Sequence, residues 1–443
     1  MKNNTVDRRV VWLNVLVLTV GVCGLALYVA VGAQGQAAPR YQYDPGWPKP
    51  MPNKWKIGGV TGLAVAPNDD TVWVYDRPND LTNLELESEV GVSDCCSRPP
   101  SMIHIDKEGT VIGSFDAPQG HGMDIDSKGF AYLGQNTVRK YDTKTGRLVG
   151  AIAHTPELEN GGTFGPPETP ARTPGVGGAG PVAGFLPPPP GAGRGRGRGG
   201  NPENAAAQAA ARAAFRMKYP PTTPMIVGGI EEIRLDEPAG EVYVADNYLG
   251  GRVMVFDMNT FAFKRGWGAY GHKLSEISTN EADREFAAGK PPKEFRGHLT
   301  LNVSNDGLVY AADRAAERIH VTTKDGRFVK EFTMTAPGTK RNDSDRGAAG
   351  GVAFSPDKAQ KYLYICDIKN NTIWFLNRDD GKIVGRLGSM GESGGQFFGL
   401  HMIATDSRGY IYTGEVFAGQ RVQRFVPADS PRGKLLDQLS RVQ

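Results

Sequence analysis

Three of the seven histidines stand where their chemistry could be pooled. They open the stretches HGMDIDSKGFAYLG at His121, HLTLNVSNDGLVYAAD at His298 and HMIATDSRGYIYTGE at His401. Each stretch runs through a hydrophobic alternation to a turn with Gly129, Gly307 or Gly409, then to Tyr132, Tyr310 or Tyr412. The histidine-to-tyrosine distance is 11, 12 and 11 residues. A neutral imidazole is a preferred ligand of zinc-type ions, and three on one point leave a fourth position open for water or a substrate hydroxyl. A lone histidine at a strand start is more often a hydrogen-bonded structural residue, so the reading rests on the recurrence.

The elements that would carry these side chains repeat along the chain. The same frame without histidine runs from Gly62 to Asp80, from Glu232 to Asp257 and from Gly351 to Asn377, with Glu232 falling in the histidine slot of its unit. Each unit reads as an alternating strand, a Gly/Asp/Pro turn, a second strand ending near an acid, and a third strand of the RVxxF kind. Fourth strands follow in TVIGSFD, RLVGAIA, RFVKEFT and KIVGRLG. Six such units predict an all-β fold, a six-bladed β-propeller over residues 41–427. Histidine and non-histidine units alternate, so a closed ring would relate the three imidazoles by a threefold rotation. The 58 glycines and 31 prolines suit many tight turns.

The remaining segments are of other kinds. Residues 41–56 lead into the ring and are expected to wrap its edge. Residues 155–224 form a Gly/Pro/Ala-rich insertion between the second and third units, too poor in apolar side chains to build a core. Arg194, Arg196 and Arg198 within it read as a solvated linker. Residues 428–443 are a polar tail, either a terminal helix or disordered. The N-terminus carries Lys2, Arg8 and Arg9 ahead of an apolar run over residues 10–31. Residues 1–33 are therefore a cleaved signal peptide or a membrane anchor, with the propeller on the exported, periplasmic or extracellular side. A net charge of +3 gives no reason to expect nucleic acid. Four cysteines, with Cys95 adjacent to Cys96, make no disulfide framework; the pairing of Cys95, Cys96 and Cys366 stays open.

VYVADNYLGGRVMVFD, KRGWGAYG and FRGHLTLNVSNDGLVYAADRAAERIHV resemble the NHL-type propellers, and more closely the peptidyl-α-hydroxyglycine α-amidating lyases. The resemblance covers most of residues 57–427 outside the insertion. It implies a zinc ion held by His121, His298 and His401, arginines at Arg77 (in VWVYDRPND) and Arg314, and a catalytic tyrosine at Tyr248 (in ADNYLGGR). Where that family has Pro-His-Asp, with the aspartate at a structural calcium, this chain has Leu400, His401 and Met402, so calcium lacks that ligand. Leu249 and Gly250 stand where the family has cysteines.

That resemblance implies cleavage of an α-hydroxyglycine-type C–N bond to an amide and glyoxylate. Tyr248, its phenol acidified by metal and guanidinium, would be the base, and Arg77 and Arg314 would bind the substrate carboxylate. The plain alternatives are surface ion pairs for the arginines and an exposed loop aromatic for the tyrosine. The expected protein is thus an exported, monomeric, zinc-dependent lyase acting on a small peptide-type substrate, touching membrane only through its N-terminal segment. One rival is a non-catalytic NHL propeller that binds peptide, glycan or cell-wall ligands. Another is a lactonase-type hydrolase, for which Glu231, Glu232 and Asp236 are too sparse a carboxylate set.

Overall fold

Six antiparallel four-stranded sheets make up the described chain, five of them built entirely from strands that neighbour one another in sequence. This computed structural model describes residues 38–87, 95–156, 210, 212–280, 283, 291–334 and 347–441. The first blade is β2 (Gly59–Val65), β3 (Val72–Arg77), β4 (Met102–Ile105) and β5 (Val111–Phe115). The second is β6 (Met123–Ile125), β7 (Phe130–Gly134), β8 (Val138–Asp142) and β9 (Leu148–Ala151). The third runs β10 (Ile230–Asp236), β11 (Glu241–Asp246), β12 (Arg252–Asp257) and β13 (Phe263–Trp267). The fourth is β14 (Leu299–Val303), β15 (Leu308–Asp313), β16 (Arg318–Thr323) and β17 (Phe328–Thr333). The fifth is β18 (Val352–Phe354), β19 (Tyr362–Asp367), β20 (Thr372–Asn377) and β21 (Ile383–Leu387). The predicted six-bladed, all-β propeller is the fold observed.

Burial explains the sequence pattern of each blade. Second strands such as β11 and β19 are buried at every residue, because neighbouring blades cover both faces. Outermost strands such as β5 and β21 alternate between half-buried and exposed. The core lies in the seams between blades. Tyr243, Val253 and Trp267 of the third pack against Leu299, Leu301 and Val309 of the fourth. Tyr310, Ile319 and Val321 of the fourth pack against Val352, Leu363 and Trp374 of the fifth. Each blade buries its apolar area only through its neighbours, so the ring is stable as a whole rather than blade by blade.

The last blade is completed from the other end of the chain. It contains β22 (Leu400–Thr405), β23 (Ile411–Glu415) and β24 (Val422–Pro427), and its outer strand is β1 (Tyr41–Tyr43), paired Tyr41↔Pro427 and Tyr43↔Phe425. The lead-in segment therefore supplies a strand as well as covering an edge. Buried Asp44 fixes the junction, accepting from Arg424 Nη2 (2.6 Å) and Arg432 Nη2 (2.6 Å). Arg432 lies on the helix Pro431–Ser440, whose N-terminus is capped by Ser430 Oγ accepting from Gly433 N (3.0 Å). The polar tail is thus a docked helix over most of its length.

In four of the six blades an acid at the end of the second strand ties the blade to its own entry loop. Asp76 accepts from Gly58 N, Asp246 from Val227 N and Gly228 N, Asp313 from Arg296 N, and Glu415 from Phe398 N. The residues just beyond three of these acids are Arg77, Asn247 and Arg314, so this tie sets the rim on which the candidate side chains stand.

Three further segments bear on the expectations. Cys95 and Cys96 are bonded to each other rather than to more distant partners, and Cys366 is free and buried. Residues 212–218 at the end of the insertion are helical. Phe215 packs with Val227 and Leu249, and buried Arg216 pairs with buried Glu294 at 2.8 Å. The close of the insertion is therefore part of the folded ring, while its residues 157–209, with Arg194, Arg196 and Arg198, lie outside the described residues. The apolar run 10–31 also lies outside them; among the described residues no helix is long and apolar enough to cross a membrane.

Candidate functional site

The first strand of a blade delivers its opening residues toward the centre of the ring, and strand register decides which residue arrives. Tyr132 pairs with Asp124, and Tyr412 with Ala404. His121 and His401 each stand three residues before those partners, His121 just ahead of the paired residues with its N–H donating to Gly134 O and His401 at a shift in the pairing. In the third blade Tyr243 pairs with Arg234, which puts Glu231, not Glu232, at the corresponding place. The turn there is one residue longer, Arg234 to Tyr243 spanning nine residues against eight for Asp124 to Tyr132, and this shifts the count. Glu232 instead pairs with Arg234 (3.1 Å), and burial pushes its carboxyl up to about 7.

His298 is the odd one of the three. Tyr310 pairs with Asn302, so His298 lies four residues before the partner, one step further out. The single extra residue in its spacing to tyrosine has this origin. The backbone there is in the left-handed region (φ 54), which a non-glycine residue occupies at a cost of about 1–3 kcal/mol. It is held by Arg314 N donating to His298 O (3.2 Å). The Asn247 amide oxygen, turned so that both its ends are satisfied, accepts from His298 N (2.8 Å). The cost is met by contacts that hold the ring of His298 in one place.

Two clusters result. In one, His121 Nε2 and His401 Nε2 face each other at 2.9 Å. His121 Nδ1 donates to the carbonyl oxygen of Glu231 (2.6 Å). A carbonyl only accepts, so the hydrogen of His121 is on Nδ1 and its Nε2 keeps the lone pair. His401 Nε2–H is then the donor between the rings, and His401 Nδ1 is buried without a hydrogen-bond partner. In the other cluster Tyr248 Oη donates to Glu231 Oε1 (2.5 Å) and lies 2.6 Å from His298 Nδ1, which is 2.9 Å from the same carboxylate oxygen. Glu231 belongs to both clusters, through its backbone to His121 and through its side chain to His298 and Tyr248. Among the described residues no group of three or more His, Cys, Asp or Glu side chains is drawn together as a ready metal-ligand set.

The electrostatics follow from burial and from Glu231. Burial holds His121 down at about 4 and His401 well below the usual imidazole range, so both rings are neutral near pH 7. Burial would raise Glu231, but the charge and hydrogen bond of His298, with His121 and Arg314, outweigh it and bring the carboxyl to about 2. Burial and the Glu231 charge push the Tyr248 phenol well above its usual value, despite opposing pulls from Arg314 and Arg77. The expectation of a phenol acidified by guanidinium is corrected on this point: the arginines are near enough to act, and the carboxylate acts more strongly.

Arg77 and Arg314 occupy equivalent places on the rim but differ in their ties. Arg77 is committed to Asp80, with Nε at 2.9 Å and Nη2 at 2.7 Å from one carboxylate oxygen. Arg314 is buried, and its Nε has no hydrogen-bond partner. A buried planar cation with an unmet donor is suited to receive a carboxylate. All six residues singled out from the sequence thus act on one another within one region of the ring. Sequence reasoning missed Glu231; the longer turn after it was the available signal.

No protein-family model matches the chain, and no curated protein is similar to it in sequence. Solved structures are similar at the level of architecture. Virginiamycin B lyase from Staphylococcus aureus is 11% identical over 85% of this chain and 88% of that one, with a TM-score of 0.41. A catalytically inactive variant of that lyase with quinupristin is 12% identical over 89% and 90%, with a TM-score of 0.40. A Bacteroides thetaiotaomicron protein of unknown function is 13% identical over 88% of this chain and 72% of that one, with a TM-score of 0.45.

Proposed function

We propose that the protein is an exported lyase that cleaves an α-hydroxyglycine-type C–N bond, releasing an amide and glyoxylate with the help of a bound zinc ion. The observation that carries this reading is the contact of Tyr248 with both Glu231 and His298, beside the facing imidazoles of His121 and His401.

The donor set suits an imidazole-preferring divalent cation. Neutral His401 can carry its hydrogen on Nδ1, the atom now without a partner, and both facing Nε2 lone pairs are then free for an ion. His298, held through Nδ1, keeps Nε2 as its free nitrogen. Zinc so bound would supply Lewis acidity to a substrate hydroxyl.

The side chains do the rest. Arg314 takes the substrate carboxylate on its unmet donor, with Arg77 contributing charge from its place on Asp80. Tyr248 accepts the proton of the hydroxyl as its own passes to Glu231, so the phenol relays a proton without becoming a free phenolate. The C–N electron pair leaves with the amide nitrogen, which takes up the proton returned from Glu231 through Tyr248, and the former carbinol carbon becomes the aldehyde of glyoxylate. The apolar run over residues 10–31 supports export of the ring by a signal or anchor.

The test is glyoxylate release from α-hydroxyhippurate by the purified full chain, with zinc measured in the same preparation. Turnover with about one zinc per chain supports the reading. Zinc-supplemented protein that retains no metal and releases no glyoxylate overturns it in favour of a ligand-binding propeller.

A further inference from the structure

We propose that Glu231, besides receiving the proton relayed by Tyr248, positions two imidazoles in the same tautomer, His121 through its backbone carbonyl and His298 through its carboxylate. β10 has a neighbouring strand on one side only, and its pairing with β11 is irregular between Ile230 and Ile233, where Glu231 lies. The Glu231 carbonyl there accepts from His121 Nδ1 at 2.6 Å. The side chain of the same residue turns toward the fourth blade and meets His298 Nδ1 at 2.9 Å.

Both acceptors are of fixed polarity: a carbonyl oxygen never donates, and an ionised carboxylate only accepts. Each ring must therefore present an Nδ1–H to Glu231, and in its neutral form a bare Nε2 away from it. His121 Nε2 is the atom that faces His401. Tyr248 cannot replace this function, because a hydroxyl serves equally as donor or acceptor. Its contact with Glu231 Oε1 instead depends on the carboxylate being there. One residue of one blade thereby coordinates side chains from the second, third and fourth. The consequence for metal affinity rests on the zinc reading given above; the tautomers do not.

The experiment is long-range ¹⁵N–¹H NMR of the full chain labelled at histidine nitrogen, with zinc affinity measured alongside by chelator competition. In the zinc-free protein His121 and His298 are expected as Nδ1–H tautomers. Glu231→Ala should turn His298 into a mixture of tautomers, leave His121 unchanged, and lower zinc affinity about 10–100-fold. Glu231→Asp keeps an acceptor-only carboxylate, one methylene shorter, and should restore part of the His298 preference and of the affinity, whereas Glu231→Gln, whose amide donates as well as accepts, should not. Tyr248→Phe, which leaves the carboxylate in place, should keep His298 as Nδ1–H even if the alanine variant fails to fold. Finding His298 as Nε2–H in the unaltered protein, or unchanged in Glu231→Ala, overturns the inference. Tautomers as stated in a protein that takes up no zinc would support the positioning role and remove the metal reading alone.

Discussion

His121 and His401, 280 residues apart in sequence, place their Nε2 atoms 2.9 Å from each other, and neither ring carries a charge near pH 7. Neutral facing nitrogens either share one hydrogen or share an electrophile. If they share an ion, His121→Ala and His401→Ala should each remove zinc from the purified protein, as read by elemental analysis. His272→Ala, at a half-exposed ring paired with Glu276, should not. Equal zinc content in all three variants would remove the pair from the metal site.

Tyr248 contacts both Glu231 and His298 through its hydroxyl. Tyr248→Phe should lower glyoxylate release about 10²–10⁴-fold, the range for loss of a positioned proton-transfer group. Zinc content should be unaltered. Undiminished turnover would move the proton transfer to another residue.

The two rim arginines should not be equivalent. Arg314, with an unmet buried donor, is expected to lose about 10–100-fold in KM as Arg314→Ala, from a charge-assisted hydrogen bond of about 1.5–3 kcal/mol. Arg77→Ala should cost less, since that guanidinium is already held by Asp80. Steady-state kinetics on substrates with and without the carboxylate check this, and an equal effect on both substrates would contradict it.

Closure of the ring depends on Asp44. Its carboxyl is lowered because hydrogen bonds from Arg432 and Arg424 outweigh burial. Asp44→Ala would strand Arg424 among buried groups, at a cost of about 3–5 kcal/mol. Urea unfolding should show the loss, and Arg424→Ala together with Asp44→Ala should recover part of it.

Acid should weaken the fold through its buried imidazoles. Burial brings His320, packed against Tyr270 and Phe295, down to about 3. The unfolded chain binds a proton near pH 6.5 and the folded one does not. The contribution is complete above about pH 6.5 and declines as pH falls toward the folded value, by at most about 1.4 kcal/mol per pH unit for each such ring. His320→Leu should flatten the unfolding midpoint against pH between about 6 and 4. An unchanged slope would show that His320 does not contribute.

The blades were legible because each repeats an alternating strand and a Gly/Asp/Pro turn, and five of the six carry an acid at or beside the end of the second strand. The partner of β24 was harder to see, since the strand that completes it sits at Tyr41–Tyr43, far away in sequence. At the site, spacing to the tyrosine located His121 and His401 because their turns have equal length. The same count misplaced the acid by one residue, choosing Glu232 over Glu231, since turn length rather than composition sets register. That Cys95 bonds its own neighbour was likewise outside what spacing decides.

The pairing of Tyr41 with Pro427 has a bearing on biosynthesis. A ribosome makes Tyr41 before any blade and Pro427 after the first five, so the sixth blade cannot acquire its edge strand until the five blades between have been synthesised. Until then Asp44 lacks both of its arginines and the seam between the first and sixth blades stays wet. The imidazole of His401 arrives with that same late segment, so it can face His121 only once the chain between them has been made.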